Sequence, residues 1–229
     1  MGWLRALSFI LIGSAIAGCE FAESDDATGG GVCKDKPLCD GNPDLIATCN
    51  THQDQYDCTI LATVAAEGEP DPLIFKAQIG LESNYVLLAI SPDTPCGVKA
   101  GWTPDESKSF GLLQLTPACG WLKGALLPDG RPNMEMDETA PGWATSVFYP
   151  PLNVTEGVRA VAVNRARLMT TFPGCTEAQY TKMALAAFNR GGSAVSGCDQ
   201  MTDPARAYVT NLFLRYDQLV LPTGLPNRY

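Results

Sequence analysis

The stretch AQIGLESNYVLLAIS, residues 77–91, carries one charge, Glu82, in fifteen otherwise uncharged residues. Asp71-Pro72 upstream reads as an N-cap followed by proline in the first turn, so a helix is expected to start there. The spacing predicts that it runs to about Ser91, where Pro92 ends it. On such a helix the three-, four- and seven-residue neighbours of Glu82 are Phe75, Gln78, Ile79, Tyr85, Val86 and Ala89. That stripe has the pattern of a core-facing surface, with the carboxylate on it. An ionised carboxylate among apolar groups is costly, and burial raises its pKa. A raised pKa is what a general acid needs near neutral pH. The plainer alternative is a glutamate at the rim of a core, its oxygens reaching water or a backbone N–H.

From Asp71 onward the pattern remains helical. A helix is expected over Thr155 to about Thr171, with Pro173 and Gly174 after it. Another runs from Thr176 to Asn189, closed by Gly191 and Gly192, and a last one opens at Asp203-Pro204 and reaches about Leu219. Residues 92–108 read as a loop or small hairpin, 109–117 as a second helix or turn, and 124–143 as irregular. Strand signals are weak. The fold class is therefore mainly α, a domain over residues 70–229.

The N-terminal third is different. MGWLR is a short basic start, ALSFILIGSAIAG an uncharged apolar run, and Cys19 follows. The run is too short for a comfortable membrane span and reads as a signal segment over residues 1–18. Residues 19–32 are acidic and glycine-rich, as a flexible tether would be. Residues 33–69 form a cysteine-rich extension holding four cysteines. Of the nine cysteines, eight remain once Cys19 is set apart, an even number that fits disulfides in an exported chain. Proximity suggests Cys96–Cys119 and Cys175–Cys198, with Cys33, Cys39, Cys49 and Cys58 paired among themselves.

Composition excludes several functions. The net charge is −9 with no basic run, which argues against nucleic acid as a partner and predicts no attraction to an anionic membrane surface. His52 is the only histidine and no Cys-x-x-Cys occurs, so no metal site is expected. A Ser-His-Asp or Cys-His site would have to use His52, within the extension. Neither a phosphate loop nor a dinucleotide fingerprint is present, and no cofactor is expected. Carboxylate chemistry around Glu82 remains.

Five short motifs then follow one another: Glu82-Ser83; Ser109-Phe110-Gly111-Leu112-Leu113-Gln114; Asn153-Val154 with Gly157; Ala187-Phe188-Asn189-Arg190-Gly191; and Tyr208-Val209. In this order they resemble the soluble lytic transglycosylase domain, a relative of goose-type lysozyme, over about residues 70–220. The resemblance implies a lysozyme-like helical domain, with the cysteine-rich segment as an N-terminal extension. It implies cleavage of the β-1,4 bond between N-acetylmuramic acid and N-acetylglucosamine in peptidoglycan. Glu82 would protonate the leaving oxygen and then act as base on the muramic 6-hydroxyl, closing a 1,6-anhydro ring without water. One protein carboxylate suffices if the substrate's N-acetyl group stabilises the cationic centre, a known departure from two-carboxylate schemes.

The same resemblance makes Ser83, Ser109, Gln114, Asn189 and Tyr208 substrate-binding candidates. Four of them have a plainer alternative: Ser83 a helix-surface serine, Gln114 a solvent-facing amide, Asn189 a helix stop, Tyr208 a core tyrosine. Phe188 replaces the family's tyrosine, Leu113 its methionine, and Pro204-Ala205 its Glu-Thr, while Arg190 is large for its position. Asp105 lies five residues before Phe110-Gly111, much as goose-type lysozymes place an aspartate thought to position water. It keeps open a hydrolytic muramidase, which needs the carboxylates ~6.5–9.5 Å apart. A third reading is a non-catalytic wall-binding lipoprotein. Ile16-Ala17-Gly18-Cys19 resembles a bacterial lipobox, which implies lipidation at Cys19, a membrane anchor, and a chain facing the periplasm with glycan strands as partner.

Overall fold

The computed structural model describes residues 51–69 and 71–220. The signal segment, Cys19, the tether, and Cys33, Cys39 and Cys49 lie outside the described residues. Among the described residues six helices carry the fold: α1 (Thr51–Asp54), α2 (Asp57–Glu67), α3 (Pro72–Ser83), α4 (Pro150–Thr171), α5 (Glu177–Arg190) and α6 (Asp203–Val220). A two-stranded antiparallel ribbon, β1 (Val195–Gly197) and β2 (Gln200–Met201), lies between α5 and α6 in the chain. The described protein is thus mainly α. None of its described helices is long and apolar enough to cross a membrane.

The helix ends follow from local chemistry. Asp71 caps α3, its Oδ1 accepting from Leu73 N at 3.0 Å, and its Oδ2 accepts from Tyr216 Oη of α6 at 2.7 Å. One buried carboxylate thereby starts α3 and ties it to α6. Thr176 and Gln179 form a reciprocal capping box at the start of α5. α4 begins at Pro150, five residues before the expected Thr155, because Pro150-Pro151 supplies the preset φ of a first turn and carries no N–H donors that would lack a partner there.

α3 differs most from expectation. It stops at Ser83 and does not continue to Ser91. Asn84 and Tyr85 both take left-handed backbone, φ 50° and 62°. Asparagine tolerates that conformation best after glycine, so Asn84 serves as the C-cap. Tyr85 then folds back over Gly80, where a Cβ would lie 2.8 Å from the tyrosine oxygen. His52 Nε2 lies 3.0 Å from Asn84 O, and its ring meets Tyr85 edge-on. The remainder of the run, Val86 to Ile90, makes a turn in which Ala89 N donates to Val86 O at 3.3 Å, with Val86, Leu88 and Ile90 exposed. A bridge joins Ile90 to Phe110, and a second joins Phe110 to Leu115. Residues 109–117 are accordingly a tight bridged turn, not a helix.

The core is shared by all the longer helices and this turn. Ile60 and Val64 of α2, Phe75 and Ile79 of α3, Phe110, Leu112, Leu113 and Leu115 of the turn, Val154 and Val158 of α4, Met183 to Ala187 of α5 and Leu212 of α6 pack as one cluster. α2, from the cysteine-rich extension, packs on both α3 and α4. Lys76 of α3, fully buried, fastens it further, pairing with Asp54 of α1 and with Asp57 of α2 at 2.9 Å.

Cys96–Cys119 and Cys175–Cys198 are bonded, as proximity suggested. Cys58 is disulfide-bonded as well. Each of the first two links cysteines 23 positions apart. Loop closure of that length is worth about 3 kcal/mol through the unfolded chain. Replacing Cys175 and Cys198 by serine should lower the urea midpoint by a corresponding amount. An unchanged midpoint would show that the ribbon is held by its other contacts.

Candidate active site

Glu82 sits in the last turn of α3, where that helix meets the end of α5 and the beginning of α6. Tyr208 of α6 donates its phenol proton to Glu82 Oε1 at 2.6 Å. Asn189, one residue from the end of α5, brings its side chain near the same carboxyl, and Arg190 supplies a positive field. Three motifs far apart in sequence thus converge on one carboxyl group.

Two opposed effects set its acidity. Glu82 keeps part of its surface open to solvent, but protein surrounds the carboxyl closely, and desolvation raises its pKa from 4.5 to about 7. The Tyr208 hydrogen bond, the charge of Arg190 and the nearby Asn189 amide act the other way. Desolvation prevails. The phenol of Tyr208 is held well above its ordinary range, first by burial and then by the Glu82 charge, so it stays a donor. A carboxyl poised near 7 holds comparable populations of acid and base at neutral pH.

Behind Tyr208 lies Gln78, on the same helix as Glu82 and one turn earlier. It is fully buried, and its Nε2 donates to Tyr208 Oη at 3.3 Å. The sequence marked Gln78 only as a neighbour of Glu82. The available signal was a polar amide within a core-facing stripe.

The other candidates occupy different environments. Ser83 is buried and donates to Ile79 O at 3.1 Å, one turn back in its own helix. Ser109 is buried, its Oγ 2.6 Å from Thr116 Oγ1. Gln114, at φ 48°, spends Nε2 on Ala89 O at 3.1 Å and Gly111 O at 2.8 Å, leaving its carbonyl oxygen. Gln114 therefore fastens the turn after Glu82 to the 110–115 turn. Asp105 begins a 3-10 turn, with its side chain 77% exposed and paired with Lys108 at 2.7 Å.

The Asn153 and Gly157 motif supports that turn from beneath. Asn153 is fully buried: its Oδ1 accepts from Leu113 N at 2.8 Å, and its Nδ2 donates to Phe110 O at 2.9 Å and Val147 O at 3.1 Å. Gly111, at φ 74°, leaves the space that this amide fills, since a Cβ there would lie 2.5 Å from Asn153 Nδ2. Gly157 likewise makes room for Leu113. Asn153→Leu should cost about 2–4 kcal/mol, because backbone groups of the turn lose buried partners. Thermal unfolding checks it, and a change below about 0.5 kcal/mol would show the turn to be held otherwise.

A separate hollow of about 460 Å³ lies along α5, α6 and β2, lined by Lys182, Asp199, Arg206 and Asp217 around Met201 and Phe213. It includes neither Glu82, Tyr208 nor Asn189. Its lining mixes two cations with two carboxylates and converges on no single reactive group. Among the described residues, no three histidine, cysteine, aspartate or glutamate side chains group as metal ligands would.

The chain matches no protein-family model and no curated protein. The functional reading rests on these residues.

Proposed function

We propose that the protein is a lytic transglycosylase of a lysozyme-like fold, cleaving the N-acetylmuramic acid–β-1,4–N-acetylglucosamine bond of peptidoglycan to 1,6-anhydro ends. The observation that carries this reading is the Glu82 carboxyl, raised to about 7 and touched by Tyr208 and Asn189. Protonated Glu82 gives its proton to the glycosidic oxygen as that bond breaks. The resulting carboxylate is stabilised by the Tyr208 hydroxyl and the Arg190 charge. It then removes the proton of the muramic 6-hydroxyl as that oxygen closes on the anomeric carbon, and Glu82 returns to its acid form. A single group that alternates between acid and base works best with a pKa near the operating pH. Asn189 is suited to hold either the acid or the N-acetyl group, and the free Gln114 carbonyl to accept from a sugar hydroxyl. No cofactor is invoked.

Lipidation at Cys19 would hold the enzyme on an envelope membrane facing its glycan substrate, and its acidic charge would leave the neutral sugar backbone as the recognised feature. Digestion of purified peptidoglycan with the lipid-free chain, followed by mass analysis of released muropeptides, tests the activity. The expected products carry anhydro ends, one water lighter than hydrolytic ends. Ordinary reducing ends would mean that water attacks instead, and no release at all would leave a wall-binding role.

A further inference from the structure

Tyr208 has one phenol proton and two polar neighbours, Glu82 Oε1 at 2.6 Å and the Gln78 amide at 3.3 Å. A hydroxyl between two acceptors could turn to either. Gln78 presents a donor, so the only direction left for the Tyr208 proton is toward Glu82. The amide holds this orientation at a cost to itself: Gln78 is fully buried, and its Oε1 has no hydrogen-bond partner. An apolar side chain of similar volume would suit that position better for stability alone. Groups retained against such a cost are commonly functional.

We propose that Gln78 is a positioning residue that acts through Tyr208, locking the phenol as a permanent donor to Glu82 and so setting the acidity of the catalytic carboxyl. The idea rests on Glu82 being the reacting acid, but its test does not depend on catalysis. The groups facing Glu82 are Tyr208 from α6 and Asn189 and Arg190 from α5; only Tyr208 receives a hydrogen bond from Gln78. Donation into the phenol oxygen makes the phenol a stronger donor, which favours ionised Glu82. Loss of the amide should therefore raise the pKa of Glu82.

The measurement is the titration of Glu82 by carbon NMR of side-chain-labelled, lipid-free protein. Four forms are compared: wild type, Gln78→Met, Tyr208→Phe and the double variant. Gln78→Met should move the Glu82 titration upward by roughly half a unit or more, with thermal stability equal to or above wild type. In the Tyr208→Phe background the same replacement should move it by little or nothing. An unchanged titration in Gln78→Met overturns the proposal, as does a downward shift. An equal upward shift with and without the phenol also overturns it, because the effect would then bypass Tyr208. Gln78→Leu provides a second truncation; failure of both to fold would make Gln78 a structural residue and likewise overturn the assignment. Glycan release measured on the same variants separates the two ideas. A shifted titration in a protein that releases no glycan in any form upholds the relay while removing the proposed activity.

Discussion

Glu82→Gln should abolish glycan release, by about a thousandfold or more, while making the folded protein more stable at alkaline pH. Loss of activity follows because an amide neither gives the leaving oxygen its proton nor takes one from the 6-hydroxyl. General acid–base catalysis contributes about 10²–10⁴-fold for one such step, and here one group serves two. Stability follows from linkage. The folded pKa of Glu82 is raised from 4.5 to about 7, so between these values the folded state binds the proton more tightly than the unfolded chain. Stability from this group is fully present below about 4.5 and is lost as pH rises through about 7. Above that the fold carries a charge that the unfolded chain solvates better, a cost of up to about 3 kcal/mol. A neutral isostere escapes it. The difference in unfolding free energy between variant and wild type should therefore be small at pH 4, grow through pH 5–7 and level off above 8. Urea titrations across that range check the curve. A variant that is inactive but no more stable at pH 8 would place Glu82 in open solvent, and a variant that still releases anhydro products would end the mechanism.

Lys76→Met should destabilise the fold by about 3–5 kcal/mol, the largest stability loss expected from any single change away from the site. Its ammonium is fully buried between Asp54 and Asp57, themselves 5% and 1% exposed. Removing the cation of a buried ion cluster costs far more than the intact pairing contributes. Asp57→Asn should cost less in the Lys76→Met background than alone, since the interaction is already gone. That coupling is measurable in a double-mutant cycle. Simple additivity would mean that the two groups do not depend on one another. Because Lys76 lies on α3 and the aspartates on α1 and α2, the cluster positions the segment before Asp71 against the helix that carries Glu82. Glycan release in Lys76→Met should fall only as far as unfolding removes active protein.

Much of this arrangement was legible in the linear chain. Asp71-Pro72, Thr176 and Asp203-Pro204 announce helix starts because capping chemistry is local. Cys96–Cys119 and Cys175–Cys198 followed from short separation. Glu82 stood out as a single carboxylate among apolar residues, and Asn189 and Tyr208 as polar groups in recurrent short motifs. The end of α3 was harder to read. The apolar run through Ile90 continues a helical pattern on paper, but its later half breaks into turns that end in a bridge from Ile90 to Phe110. The termination depends on Tyr85 finding space over Gly80 and on His52 reaching Asn84 O, contacts that no local propensity encodes.

What the sequence by itself determined is most of the long helices, two of the covalent links and the identity of the candidate carboxyl. These depend on capping, periodicity and residue type over a few positions. Only the tertiary structure decided which polar groups meet that carboxyl and which are consumed elsewhere. It brings Tyr208 across 126 positions to Glu82, turns Ser83 back onto its own helix, commits the Gln114 amide to the backbone, and points Asp105 outward. The pKa of Glu82 belongs to the same category. Desolvation and donated hydrogen bonds oppose each other there, and their balance is a property of how closely three helix ends pack, not of any residue type.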